Sequence, residues 1–332
     1  MSHLLQINDL EVKFALRTGD ITAIDGIRFT LDRGEKLGLV GESGAGKSVT
    51  GFSIINLLSK PGYISKGKIF FQGNEISSYP NEKMRKIRGN AISMIFQDPM
   101  MTLNPVFTVG FQMIETIQAH REISKANARK IALEKLKKVH IPSPEKRLEQ
   151  YPHELSGGMR QRIIIAISLL TDPAIIIADE PTTALDVTIQ AEIMDLLQEL
   201  CASDNMALIL ITHDLGVVSQ VTEKIAVMYA GKIIEYGSTD QVVKHPVHPY
   251  TEGLIKSIPG TLIKHGEDLV QIPGMMPTLT NIPPGCAFNP RCYLKESICT
   301  QKTPELRDMG QGVQAACHVK QRGNRQNNNE AG

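Results

Sequence analysis

The sequence predicts an α/β fold with a mainly parallel sheet around a phosphate-binding loop, a helical insertion, and a small cysteine-rich C-terminal appendage. Three observations carry this. Short apolar runs of strand type alternate with helical periodicities. The run Gly41–Ser48, GESGAGKS, has the spacing G-x-x-x-x-G-K-[ST]. Finally, Cys286, Cys292, Cys299 and Cys317 are crowded together near the end of a chain with only one other cysteine, Cys201.

The elements follow in order. GEKLGLVGESGAGKSVTGFSIINLL reads as strand, glycine-rich turn and helix: Leu37 to Val40 is a buried-strand run, and Val49, Phe52, Ile55 and Leu58 then recur at helical spacing. GKIFFQGNEI and AISMIFQD are two further strands. VGFQMIETIQAH and ANARKIALEKLKKVH are helical, with Ala128, Ile131, Lys135 and Val139 expected on one face, and Pro142 and Pro144 close that section. MRQRIIIAISLL is a helix feeding the strand AIIIADE. A helix with Ile189, Ile193, Leu197 and Leu200 on one stripe leads to the strand ALILITHD, and KIAVMYAGKIIEYG is a hairpin turning at Ala230-Gly231.

These elements divide the chain into a core over residues 1–236, carrying a helical insertion at about 84–158, and a proline-punctuated appendage over 237–320. The polar tail 321–332 is expected to be disordered.

The chain has 332 residues, a formal charge of +1 and 42% hydrophobic residues, the composition of an ordinary folded protein. Near-zero net charge argues against a nucleic-acid grip built on a basic surface. The start, MSHLLQINDLEVKF, lacks the features of a signal peptide, and no apolar run approaches a membrane span. A cytosolic chain able to dock on a membrane protein is expected. In that compartment, clustered cysteines favour metal ligation over disulfides.

Three runs carry chemistry. In Gly41, Glu42, Ser43, Gly44, Ala45, Gly46, Lys47 and Ser48, the glycines let backbone N–H groups turn toward phosphate oxygens. Lys47 reaches the β/γ-phosphates and Ser48 offers a hydroxyl to Mg²⁺. The following helix adds the partial positive charge of its N-terminus. Asp179 and Glu180 end an apolar strand, where ligands of α/β sheets bind; Asp179 suits the Mg²⁺ shell and Glu180 the polarisation of an attacking water. In LSGGMRQR, Ser156, Gly157 and Gly158 open a helix, as a second anion site or as a plain N-cap.

In this order and spacing, over nearly all of Leu4 to Tyr236, the motifs resemble the ATP-binding subunits of ABC transporters. The resemblance implies a P-loop ABC-type ATPase core: a mostly parallel sheet with an antiparallel β part at the N-terminus. It also implies a head-to-tail dimer with ATP sandwiched between Lys47 and Ser48 of one subunit and the Ser156–Gly158 signature of the other. Gln97, from FQDP, would contact Mg²⁺ and relay closure to membrane subunits. Asp186, from ALD, lies in the D-loop. Glu180 would act on the attacking water, His213, from THD, would orient the γ-phosphate, and Phe14 would stack on adenine. The signature departs from the common pattern in having Met159 where Gln is usual, which puts the strength of one composite site in question.

The match sharpens toward importers of dipeptides and oligopeptides through MIFQDPMMTLNPVFTVGFQ, YPHELSGGMRQR, HPVHPYTEGLIKSIP and the closing NPRC…C…ACH. The dipeptide-type subunit lettered D is the nearest pattern. This implies a homologous second ATPase lettered F, two transmembrane permease subunits, an extracytoplasmic solute-binding protein, and a peripheral place on the cytoplasmic face of the membrane. Other solutes, such as haem or a nickel complex, and a soluble relative acting on nucleic acid or ribosomes, are the competing readings. Four thiolates suit Zn²⁺ or an iron–sulfur cluster equally in ligand type. The wide spacing modestly favours a cluster, and the resemblance implies [4Fe–4S] on Cys286, Cys292, Cys299 and Cys317.

Overall fold

The computed structural model describes residues 3–97, 102–183, 185–258 and 271–330. Asp98 and Pro99 of FQDP, Ala184 of ALD, and Pro259 lie outside them. Two compact units emerge, one comprising 1–31, 36–77 and 210–332, the other 32–35 and 78–209.

The first unit opens with strands β1 (Leu5–Leu16) and β2 (Gly19–Leu31), an antiparallel hairpin. Alternation buries Ile27, Phe29 and Leu31 and exposes Arg28 between them, the signature of a half-buried strand. Strand β3 (Lys36–Val40) leads through the glycine-rich loop into helix α1 (Lys47–Ile54). Strands β4 (Gly62–Phe71) and β5 (Asn74–Glu75) complete an antiparallel sheet of order β2-β1-β4-β5. The face of α1 differs from the sequence expectation. Its buried residues are Lys47, Thr50, Gly51, Ser53 and Ile54, and Leu58 lies beyond its end. Thr50 and Ser53 become tolerable inside because each hydroxyl bonds back to its own helix, at Gly46 O (3.0 Å) and Val49 O (2.6 Å).

The second unit begins with the short helix α2 (Asn81–Arg85) and strand β6 (Ile92–Ile95). The helical insertion follows as α3 (Val109–His120), α4 (Lys125–Lys138) and α5 (Pro144–Leu148). Thr108 and Ser124 cap the first two, each accepting a backbone N–H. On α4, Ala128 is buried as expected, as is Val139 just past its end, while Ala132 and Leu136 are buried in place of the half-buried Ile131 and Lys135. The Lys135 side chain is largely covered, and its amine pairs with Asp172 at 2.5 Å. Helix α6 (Gly157–Ser168) feeds β7 (Ile175–Asp179), which runs parallel to β6 and is buried along its whole length. Strands buried on both faces read as continuous apolar runs, as IIIA does here. Each such isoleucine contributes roughly 1.5–3 kcal/mol relative to exposure. Helix α7 (Val187–Asp204) buries Ile193, Leu197 and Leu200 as expected, together with Cys201.

The chain returns to the first unit within β8 (Ala207–Thr212) and continues through α8 (Leu215–Val221), β9 (Lys224–Tyr229) and β10 (Lys232–Ser238). The hairpin turns on Ala230 (φ 46°) and Gly231 (φ 80°), two left-handed residues of the type I′ turn that suits strand twist. Strand β9 lies parallel to β3. Helices α9 (Thr239–Lys244) and α10 (Pro249–Lys256) follow, then β11 (Arg307–Asp308), β12 (Gln314–Ala315) and helix α11 (His318–Glu330). Strand β12 extends the β9–β10 hairpin by pairing with β10. Helix α11 covers most of the stretch expected to be disordered. Its start is tied down by Gln321, which donates to Ala315 O and Glu305 O at 2.7 and 2.8 Å. Among the described residues no helix is long and apolar enough to cross a membrane.

Glu235 on β10 is fully buried, and its carboxylate accepts the N–H groups of Val247 (2.7 Å) and His248 (2.9 Å) ahead of α10. Burial raises its pKa above the usual carboxylate value. Glu235→Ala, leaving two donors unmet, is expected to destabilise the chain by about 3 kcal/mol, and Glu235→Gln, which keeps one acceptor oxygen, by clearly less. The shift in urea midpoint of the full chain measures both.

Candidate nucleotide site

The phosphate loop is held from several sides within the first unit. Strand β3 ends at Val40 and α1 starts at Lys47, with Gly46 in a left-handed N-cap conformation (φ 104°). Thr50 Oγ1 donates to Gly46 O, and Gly231 of the hairpin turn donates its N–H to Ala45 O at 3.0 Å. Lys47 is only 5% exposed, and its ammonium donates to Gly41 O (2.8 Å) and Glu42 O (3.0 Å), which aims the charge along the inside of the loop. Ser48 occupies the second position of α1, and Ser43 and Gly44 at the loop's tip are exposed.

Only glycine fits at position 41, because a Cβ there would stand 2.2 Å from Met228 O and 3.2 Å from the Ala45 side chain. Gly41→Ala is therefore expected to displace the loop and to weaken ATP binding by at least about tenfold, one tenfold step being about 1.4 kcal/mol. Calorimetric titration with ATP reads this directly.

His213 follows β8 at the mouth of α8, whose N-cap is Asp214. That carboxylate accepts from Gly216 N (2.8 Å) and Val217 N (3.2 Å), which fixes the backbone beside His213. Phe14, near the end of β1, is half-buried beside Gly62 on β4, where a Cβ would come within 2.8 Å of its ring.

The second unit, taken by itself, carries Asp179 and Glu180. Strand β7 delivers Asp179, 2% exposed, and the next residue, Glu180, has φ 45°, an uncommon conformation for a non-glycine residue. Its Oε2 accepts from Gln97 Nε2 at 2.9 Å and from Thr183 Oγ1 at 3.0 Å. Two residues 83 positions apart, singled out separately in the sequence, thus share a hydrogen bond. Thr183 was not anticipated; the signal was its place three residues after the acid, where a turn brings the hydroxyl back.

Ser156 caps α6 by accepting the Met159 N–H at 3.4 Å. At Gly158 a Cβ would press on Ile189 at 3.0 Å, so this glycine also serves close packing onto α7. Asp186 caps α7 through Ile189 N at 3.0 Å.

The family model "ABC transporter" matches residues 24–183, and "Oligopeptide/dipeptide transporter, C-terminal region" matches 234–299. An oligopeptide transport ATP-binding protein, OppD, of Salmonella typhimurium is 48% identical over 95% of this chain and 93% of its own. The chain belongs to the ATP-binding subunits of ABC transporters. The OppD protein of Bacillus subtilis is also 48% identical, over 92% of this chain and 86% of its own. Among solved structures, the dimeric post-hydrolysis state of the cassette MJ0796, bound to ADP and phosphate, superposes with a TM-score of 0.64. It is 26% identical and covers 71% of this chain and 98% of that one. The fold is that of an ABC ATPase cassette, and the chain is an ATPase.

The part of this ABC subunit beyond the cassette contains the four clustered cysteines. The carbonyl of Cys299 accepts from Cys286 N at 2.8 Å, and Asn289 Nδ2 donates to Cys286 O at 2.9 Å, which folds the segment on itself. Cys286, Cys292, Cys299 and Cys317 line one small cavity of about 10 Å³ with His248, Phe288 and Leu294. Burial pushes the Cys286 thiol up to about 11 and those of Cys292 and Cys317 in the same direction, and the neighbouring sulfurs add to it. Among the described residues, however, no group of three or more His, Cys, Asp or Glu side chains is arranged to hold a metal ion. The donor types and their shared cavity fit a thiolate-bound group.

Proposed function

We propose that this ABC subunit hydrolyses ATP to drive uptake of oligopeptides or dipeptides, working peripherally on the cytoplasmic face of a membrane. One observation carries the peptide reading: the similarity to oligopeptide transport subunits runs through the cassette and on through residues 234–299. Its partners in this reading are two transmembrane permease subunits, a homologous second ATPase and an extracytoplasmic solute-binding protein.

In turnover, the loop N–H groups, the N-terminus of α1 and Lys47 hold the β/γ-phosphates. Ser48, Gln97 and Asp179 would hold Mg²⁺, which supplies charge neutralisation on the phosphoryl oxygens. Glu180, steadied by Gln97 and Thr183, polarises the attacking water and accepts its proton, and His213 orients the γ-phosphate. Ser156, Gly157 and Gly158 of one ATPase face the ATP held by the other, with Asp186 at the same junction. Phe14 stacks on adenine.

Affinity capture of the tagged chain from detergent-solubilised membranes tests the reading. Permease subunits and a second ATPase are the expected companions. Recovery of ribosomes or DNA without membrane subunits would contradict it.

The four cysteines complete the proposal as ligands of a [4Fe–4S] cluster. Bound as thiolates, they would staple a segment with little core of its own. Iron, sulfide and zinc per anaerobically purified chain decide it. About four irons and four sulfides, lost on Cys292→Ser, are expected; one zinc and no iron would replace the cluster with a plain structural clip.

A further inference from the structure

The phosphate loop contains a carboxylate that works against its purpose. Glu42 sits in the loop that receives the most highly charged part of ATP, and like charges at short range oppose one another. The C-terminal region neutralises it. Arg291 Nη1 donates to both carboxylate oxygens of Glu42, at 3.0 and 3.1 Å, across 249 positions of sequence.

The arginine is firmly seated. Its side chain is 6% exposed, its Nε donates to Pro273 O at 2.8 Å, and its Nη1 also reaches Tyr229 Oη at 3.3 Å. The guanidinium lies 5.9 Å from the ring centres of both Tyr229 and Phe288. Those rings pack edge to face with each other and with Tyr250, at 5.3 and 5.5 Å from Phe288. Tyr250 in turn accepts the Glu42 N–H at 2.9 Å through its hydroxyl. Both the backbone and the side chain of Glu42 are therefore held by residues outside the cassette's own nucleotide motifs.

We propose that Arg291 is a positioning residue for ATP binding. Carried on the cysteine-rich segment next to Cys292, it cancels the Glu42 charge that would otherwise oppose the phosphates. It acts through Glu42 and does not touch nucleotide. The inference rests on ATP being bound at Gly41–Ser48, and loss of binding in Lys47→Ala is the control for that reading.

Calorimetric titration of the purified full chain with ATP tests the proposal. Arg291→Gln, which keeps length and packing, should weaken ATP about tenfold, within the coupling range of contacting charged pairs. Arg291→Lys should recover part of the lost affinity, to within about fivefold of the original, because the charge is restored although the fork that also holds Pro273 O is lost. The double variant Arg291→Gln with Glu42→Gln should recover similarly, since no uncancelled carboxylate remains. A purely structural arginine predicts that all three variants bind equally weakly, and that outcome overturns the proposal, as does Arg291→Gln binding within about twofold of the original. Should Arg291→Gln fail to fold, Glu42→Gln alone carries the test. Removing the charge while Arg291 stays should tighten ATP, and weakening would overturn the assignment.

Discussion

Glu180→Gln is expected to cut ATP turnover by about 10²–10³-fold while leaving ATP affinity nearly unchanged, as removing a general base does. The substitution is nearly isosteric. The amide oxygen still accepts from one of the two donors, Gln97 or Thr183, that now hold Oε2 at 2.9 and 3.0 Å. What disappears is the charge that polarises water. Phosphate release and ATP titration on the same preparation separate the two effects. Turnover within a few-fold of the original would remove Glu180 from the catalytic role and leave its left-handed backbone, φ 45°, without a functional account.

The second large effect is expected at Lys47. Its ammonium is almost completely buried and already bonded to Gly41 O and Glu42 O. Lys47→Ala removes the only side-chain cation that the motif supplies to the phosphates, and charge-assisted bonds of this kind are worth roughly twice neutral ones. A loss of about 100-fold or more in ATP affinity follows, at about 1.4 kcal/mol per tenfold step. Two loop carbonyls also lose their donor, at about 1 kcal/mol of stability. Calorimetric titration measures the first and thermal unfolding the second. Binding within threefold of the original would mean that backbone N–H groups hold the phosphates alone.

What could be read in advance was local. GESGAGKS specifies its loop because each glycine answers a backbone demand within a few residues. Ala230-Gly231 specifies a two-residue hairpin for the same reason, and AIIIAD specifies a buried parallel strand by being apolar on both faces. The helix faces were less legible. On α4 the ends of the predicted stripe, Ala128 and Val139, are buried, but in its middle Leu136 is buried beside Lys135, whose amine reaches Asp172. On α1, Thr50 and Ser53 hide their polarity in bonds to their own helix, which no hydrophobic periodicity reveals.

Illegible altogether were the long-range pairs. Gln97 and Glu180 were each visible as motif residues, but their bond was not. Arg291 was visible only as a letter between two cysteines, and its partner Glu42 only as a variable position of the phosphate loop. Pairing at such separation is decided by the packing of Tyr229, Tyr250 and Phe288, which the fold creates and no local pattern announces.

The most direct test is uptake of a labelled oligopeptide into proteoliposomes. They would carry the purified transporter with this chain, its solute-binding protein outside and ATP inside. The account predicts peptide accumulation that requires internal ATP and falls to background when this chain carries Glu180→Gln. Undiminished uptake with Glu180→Gln, or accumulation without ATP, would contradict it.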